Sequence, residues 1–179
     1  MNRLSIKLLV LLTLLAPSLV PGDSVAKAAP VSASEARKLI EQSGIKGGLV
    51  VHVGLSDGKL TAALKVNSRY QVHGIDRKIQ KVEAARAALQ KMGVYGEVSV
   101  GLLTGERLPY IENLVNLMVI EDLSGVANAE ILRALTPNGV AFIRNGDEWK
   151  KVVKPRPGNI DDWTHYLHSA SNNAVAQDT

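Results

Sequence analysis

Between Leu49 and Leu64 the chain reads LVVHVGLSDGKLTAAL: an apolar run, a loop bounded by Gly54 and Gly58, and the start of a helical pattern. A strand, a glycine loop and a helix in that order can hold an anionic or nucleotide-like group. Glycines let a ligand approach the backbone, and ligands of open parallel sheets settle beyond the strand ends. The same residues can equally form a tight strand-to-helix turn that binds nothing. A phosphate-binding Walker loop is disfavoured, because Gly54 and Gly58 enclose three residues where that loop has four, and Lys59 is followed by Leu60 rather than Ser or Thr. The dinucleotide fingerprint fits imperfectly, since Ser56 stands where its second glycine belongs.

Further polar residues follow later apolar runs. Asp76 closes one such run and directly precedes a helical pattern, which suits it to capping. Glu121 and Asp122 follow another and, taken alone, read as a solvated loop pair. His165 and His168 stand near Asp161 and Asp162, a weak metal signal without a third defined ligand. Trp149 and Trp163 read as packing anchors for the end of the chain.

The elements that must position these residues are legible from periodicity. Ser32 and Glu35 form a capping box for a helix whose stripe is Ala36, Leu39 and Ile40, ending at Ser43-Gly44. Strands are expected at 48–53, 70–75, 97–102, 114–120 and 140–144, and helices at 58–66, 77–92 and 129–135. In the longest helix Ile79, Val82, Ala85, Ala88 or Leu89, and Met92 keep helical spacing until Gly93. Pro137-Asn138-Gly139 reads as a break before the 140–144 strand. The alternation predicts one parallel, doubly wound α/β sheet with the 48–53 strand central, right-handed crossovers and helices on both faces. Asn145-Gly146 is a two-residue hairpin signal, so a last strand over EWKKVV is expected to run antiparallel at the sheet's end.

Composition agrees. The 179 residues are 46% hydrophobic and 21% charged, the balance of a chain that folds, and with 4% aromatics the core must be built of Val, Leu, Ile and Ala. Residues 1–28 read as a signal peptide: Arg3 and Lys7, the apolar stretch LLVLLTLLAPSLV, and the cleavage-like Ala26-Lys27-Ala28. The apolar stretch is shorter than the ~20 residues of a spanning helix, so no stable membrane span is expected after its removal. The expected destination is the periplasm or cell envelope. With no cysteine there is neither a lipidation site nor a disulfide framework. Removing the leader takes away Arg3, Lys7, Lys27 and Asp23, which lowers the formal charge from the whole chain's +4 and leaves no basic patch that argues for nucleic acid.

Taken in order, the motifs resemble those of the class I S-adenosylmethionine-dependent methyltransferases over roughly residues 34–145. HVGLSDG is similar to that family's first motif, with Gly54 and Gly58 in its outer glycine positions, His52 in place of its acid and Ser56 in place of its middle glycine. VHGIDRKIQKVEAARAAL resembles the second, with Asp76 at the acid that binds the ribose hydroxyls; TGERLPYIENLVNLMVIEDL and AEILRALTPNGVAFI resemble the later portions. The resemblance implies a Rossmann-like sheet and S-adenosylmethionine as cofactor. It implies that His52, Gly54, Leu55, Ser56 and Gly58 shape the cofactor's amino-acid end, that Asp76 holds the ribose, and that Leu103 and Thr104 flank the adenine. Glu121 and Asp122 then fall where an acceptor would be oriented or deprotonated.

Departures from the family are His52, Thr104 at a position commonly acidic, and Asn116 at a fourth-strand position often acidic. An ionised acceptor contributes ~1.5–3 kcal/mol, so two missing acids are expected to cost about a hundredfold or more in cofactor affinity. The tail, IDDWTHYLHSASNNAVAQDT, resembles the segment by which such domains lead into quinoprotein-like β-propellers, of the kind related to pyrroloquinoline quinone enzymes, in exported bacterial proteins. The implied organisation is a signal peptide at 1–28, a methyltransferase-like domain at 29–153, and at 154–179 a linker and the start of a downstream propeller. Two functions stay open, an active methyltransferase and a non-catalytic module of that fold. Export separates the domain from cytosolic S-adenosylmethionine and favours the second. N-terminal sequencing of exported protein is expected to start near Ala29; a start at Met1 in a soluble cytosolic fraction would contradict the leader and remove the objection to catalysis.

Overall fold

Val50 and Val51 are apolar on consecutive positions, with Val53 beyond His52, and a strand places such neighbours on opposite faces, so both faces must be covered. In the structure, a computed structural model describing residues 33–123 and 125–159 together with Tyr166, Ala170, Val175 and Ala176, they form β1 (Gly48–Val53). It lies in a six-stranded sheet with β2 (Tyr70–Asp76), β3 (Val98–Leu102), β4 (Val115–Ile120), β5 (Leu135–Asn145) and β6 (Glu148–Val153). The order is β3-β2-β1-β4-β5-β6, so β1 is interior as expected. The first five strands pair in parallel and β6 pairs antiparallel to β5. The doubly wound, mostly parallel α/β sheet predicted from the alternation of elements is therefore the fold.

Two apolar clusters flank the sheet. On one face Ala36, Leu39 and Ile40 of α1 (Ala33–Ser43), Leu60 of α2 (Lys59–Ala63), and Val82, Ala85 and Leu89 of α3 (Ile79–Lys91) close over Val50, Val72, Leu117 and Phe142. On the other, Ile131 and Ala134 of α4 (Asn128–Ala134) meet Val51, Ile75, Met118 and Ala141. There the remaining cover is Val126, from the segment before α4, and the 103–114 loop, through Leu103, Leu108 and Tyr110. That loop is stapled down by polar contacts. Glu130 Oε1 accepts the Leu108 N–H at 2.8 Å, Arg133 donates to Glu130 at 2.6 Å and to the Tyr110 carbonyl at 2.8 Å, and the Tyr110 hydroxyl lies 2.8 Å from His73 Nδ1. The Arg133 hydrogen bond holds the Glu130 carboxyl below its ordinary range, while burial pushes the Tyr110 hydroxyl up and the His73 imidazole down.

Three boundaries differ from the periodic expectation. The 77–92 helix begins only at Ile79, because the Asp76 carboxylate takes the Lys78 N–H and turns the chain first. Pro137-Asn138-Gly139 does not break the chain. Leu135 pairs with Val115 and Val140 with Leu117, so Thr136–Gly139 bulge out of a continuous β5. Asn138 takes a left-handed φ of 62°, and a Cβ at Gly139 would lie 2.8 Å from the Thr136 carbonyl. The hairpin turn is also one residue later than expected. Asn145 pairs with Glu148, so Gly146 and Asp147 are the central residues, and the positive φ of Gly146 suits the first position of a type II′ turn.

The Trp149 indole donates to Glu35 Oε1 at 2.6 Å, with the Arg144 guanidinium 5.1 Å from the ring centroid, so α1 is anchored on the hairpin. Trp149 is the packing residue expected. The leader at 1–28, Ser32, Asp161, Asp162, Trp163, His165 and His168 lie outside the described residues. Among those described, no helix is long and apolar enough to cross a membrane, and no three His, Asp or Glu residues gather as a metal site.

Leu117 is fully buried on an interior strand, so Leu117→Ala is expected to cost ~2–5 kcal/mol in urea unfolding. Leu132→Ala, on the exposed side of α4, should cost no more than about 0.5 kcal/mol.

Candidate functional site

Parallel strands end at one edge, and here the ends are knitted level. Gly54 N–H donates to the Ile75 carbonyl at 3.0 Å, Leu103 N–H to Asp76 at 2.9 Å, and Glu121 N–H to Val53 at 2.9 Å. The structure thereby brings Gly54, Asp76, Leu103 and Glu121 to one rim, although the first and the last lie 67 positions apart in the sequence. The chain leaves β1 toward β2 on one side and returns through β4 on the other, and ligands of such sheets occupy the crevice at that reversal.

The glycine loop has its own internal reasons. Gly54 has φ 85°, and a Cβ there would stand 2.6 Å from the Asp122 backbone nitrogen. Gly58 has φ 76°, with the Ala85 backbone of α3 at 3.2 Å from its would-be Cβ. Between them Leu55 turns inward to be fully buried, above Gly74, where a Cβ would come within 2.7 Å of it. Ser56 points outward and is exposed. Asp57 pairs with Lys59 at 2.8 Å and accepts the Lys59 N–H at 3.0 Å, which starts α2.

His52 does not project into the loop. Its side chain is buried beneath, with Nδ1 2.9 Å from Thr61 Oγ1 on α2, while Nε2 has no hydrogen bond and lies 3.7 Å from Glu121 Oε2. Asp76 is 2% exposed at the last position of β2. Oδ1 accepts the Lys78 N–H at 2.8 Å; Oδ2 makes no hydrogen bond and lies 3.4 Å from Lys81 Nζ. The residue serves the turn into α3, yet Lys78 and not Asp76 occupies the capping position.

The remaining expected residues divide. Leu103 is buried in the second apolar cluster, Thr104 is exposed beyond it, and Leu102, paired with Asp76 across the sheet, leaves 41% of its surface open. Glu121 is largely covered, whereas Asp122 is exposed and packs its backbone against Gly54. Asn116 belongs elsewhere: it accepts the Leu49 N–H at 2.9 Å and fills the space beside Gly48, at the start of β1 and away from the rim. Sequence reasoning missed Thr61, Gly74 and Leu102. A threonine within the apolar KLTAAL and a glycine within YQVHGI were the available signals.

No family model matches the chain, and none of the curated proteins does. Solved structures do. A candidate S-adenosyl-L-methionine-dependent methyltransferase from Methanococcus maripaludis superposes with a TM-score of 0.58 at 22% identity, over 64% of this chain and 55% of that one. A geranyl diphosphate methyltransferase in complex with SAM gives 0.55 at 18%, over 69% and 55%. The cyclase SpnF gives 0.54 at 21%, over 62% and 43%. The chain thus spans about half the length of the solved structures it resembles, and it shares with them a methyltransferase-like fold.

Gly54→Ala adds a backbone collision to left-handed strain, so it is expected to lose more stability in chemical unfolding than Gly44→Ala. At Gly44 φ is 75° and the Cβ would meet open space, so strain alone, about 1–2 kcal/mol, remains. Equal losses would mean that the contact with Asp122 yields easily.

Proposed function

We propose that the domain binds S-adenosylmethionine across the ends of β1, β2 and β4 and acts as an S-adenosylmethionine-dependent methyltransferase domain. The observation that carries this reading is Asp76, a buried carboxylate at the end of β2 whose Oδ2 has no hydrogen bond, placed beside a glycine turn. A carboxylate oxygen so placed fits a ribose hydroxyl, because beyond the ion pair with Lys81 at 3.4 Å folding leaves it without a hydrogen bond. Support also comes from neighbours of the same fold whose names describe methyltransferases, one of them holding SAM.

In this reading Asp76 accepts from the ribose. The backbone from Gly54 to Gly58, with Leu55 and Ser56 between and His52 beneath, shapes the amino-acid end. Leu103 backs the adenine, with Thr104 at the rim and exposed Leu102 offering apolar surface beside it. Bound S-adenosylmethionine supplies an electrophilic methyl group, and the contribution of these residues to its in-line displacement is alignment. Asp122, exposed at the same rim, is the better placed of the two acids to orient or deprotonate an acceptor.

A second reading, a non-catalytic methyltransferase-fold module, is favoured by the glycines: Asp122 and Ala85 fill the directions their side chains would take, so the loop stands without a ligand. The leader at 1–28 directs either form to the periplasm or envelope, and residues 154–179 join it to a β-propeller.

Titration calorimetry with S-adenosylmethionine separates the readings. Weak, saturable binding that Asp76→Ala reduces about tenfold or more supports the first. No heat at millimolar ligand would leave the structural module.

A further inference from the structure

The first motif of the resembled family ends its strand with an acid, and this chain has His52 there. The imidazole cannot supply a carboxylate's charge, and its burial aims Nδ1 at Thr61 and leaves Nε2, without a hydrogen bond, facing the next strand. The group it faces is a carboxylate, Glu121 Oε2, at 3.7 Å. Register explains the meeting. His52 pairs with Val119 and Val53 with Ile120. Alternate residues share a face, so Glu121 extends the row of Val119 on the side where His52 lies.

We infer that Glu121 supplies from β4 the carboxylate that the motif lacks on β1, and that its ligand is the α-ammonium at the amino-acid end of the cofactor. The inference rests on the cofactor reading above and deepens it. Of the other acids near the loop, Asp57 pairs with Lys59, Asp122 is exposed, and Asp76 ends β2, where the ribose is placed. Among the described residues no lysine or arginine pairs with Glu121, whose side chain is 14% exposed, so an arriving ammonium meets a carboxylate that little water screens. His52 is then a positioning residue. Held by Thr61, it lies under the carboxylate and keeps it at the rim beside Gly54.

The test is calorimetric titration of the chain and its Glu121→Gln variant with S-adenosylhomocysteine and with 5′-methylthioadenosine. Both ligands carry adenosine and a thioether, and only the first has an amino-acid end. Glu121→Gln is expected to weaken S-adenosylhomocysteine about tenfold or more while methylthioadenosine binds unchanged, which also shows that the variant is folded. Equal losses for both ligands, no loss for either, or a chain that binds methylthioadenosine alone overturn the inference and leave an adenosine site standing. A chain that binds neither overturns the cofactor reading, and the inference with it.

Discussion

Burial of β1 on both faces and along both edges is the constraint from which the rest of the domain follows. Val50, Val51, His52 and Val53 are each at most 1% exposed, so every polar group on the strand needs a partner inside the protein. The backbone finds partners in β2 and β4, and the apolar side chains find α1, α2 and α3 on one side and α4 with its loop on the other. His52 is the exception that tests the arrangement. An unbonded buried polar atom costs ~1–3 kcal/mol, and Thr61 relieves one of the two ring nitrogens only if α2 begins directly above. The short loop between, with left-handed turns at Gly54 and Gly58, is the path that puts Thr61 there.

That dependence tells which parts of the domain sequence reasoning could reach. The five parallel strands were legible because double-sided burial writes itself as unbroken runs such as LMVI, and the central place of the first strand was expected from the doubly wound pattern. Element ends were less so. Nothing in DRKIQ alone says that the Asp76 carboxylate will hold the Lys78 N–H and delay the helix, and the PNG triplet carries the same turn chemistry whether it breaks a strand or bulges within it. In the site, Gly54, Asp76, Leu103 and Glu121 could be placed at strand ends by counting. The direction of His52, the contact of Leu55 with Gly74, and the approach of Glu121 to His52 depend on pairing between distant segments, which periodicity does not encode.

The fold by itself is an uncertain guide to chemistry. Methyltransferases and a cyclase share it among the neighbours, and function resides in sites carried on a common frame. Here the glycines, Leu55, Thr61 and Asn116 all have packing or hydrogen-bonding tasks inside the domain. Asp76 Oδ2 and the Glu121 carboxylate are different: they are acceptors at the rim that secondary structure does not consume.

The reversal of β6 has a mechanical consequence. Running opposite to the other five strands, it brings the chain back to the edge away from the crevice, where Lys154 donates to the Leu135 carbonyl at 2.8 Å before Pro155 and Pro157. Bonds between antiparallel strands lie perpendicular to the strand axis, so a pull on the chain beyond Lys154, directed away from that edge, loads all six register pairs of β5 and β6 together in shear. They do not open one after another, as a peeled ladder would. A tether fixed at that edge can therefore bear tension while the crevice at the other end stays undistorted.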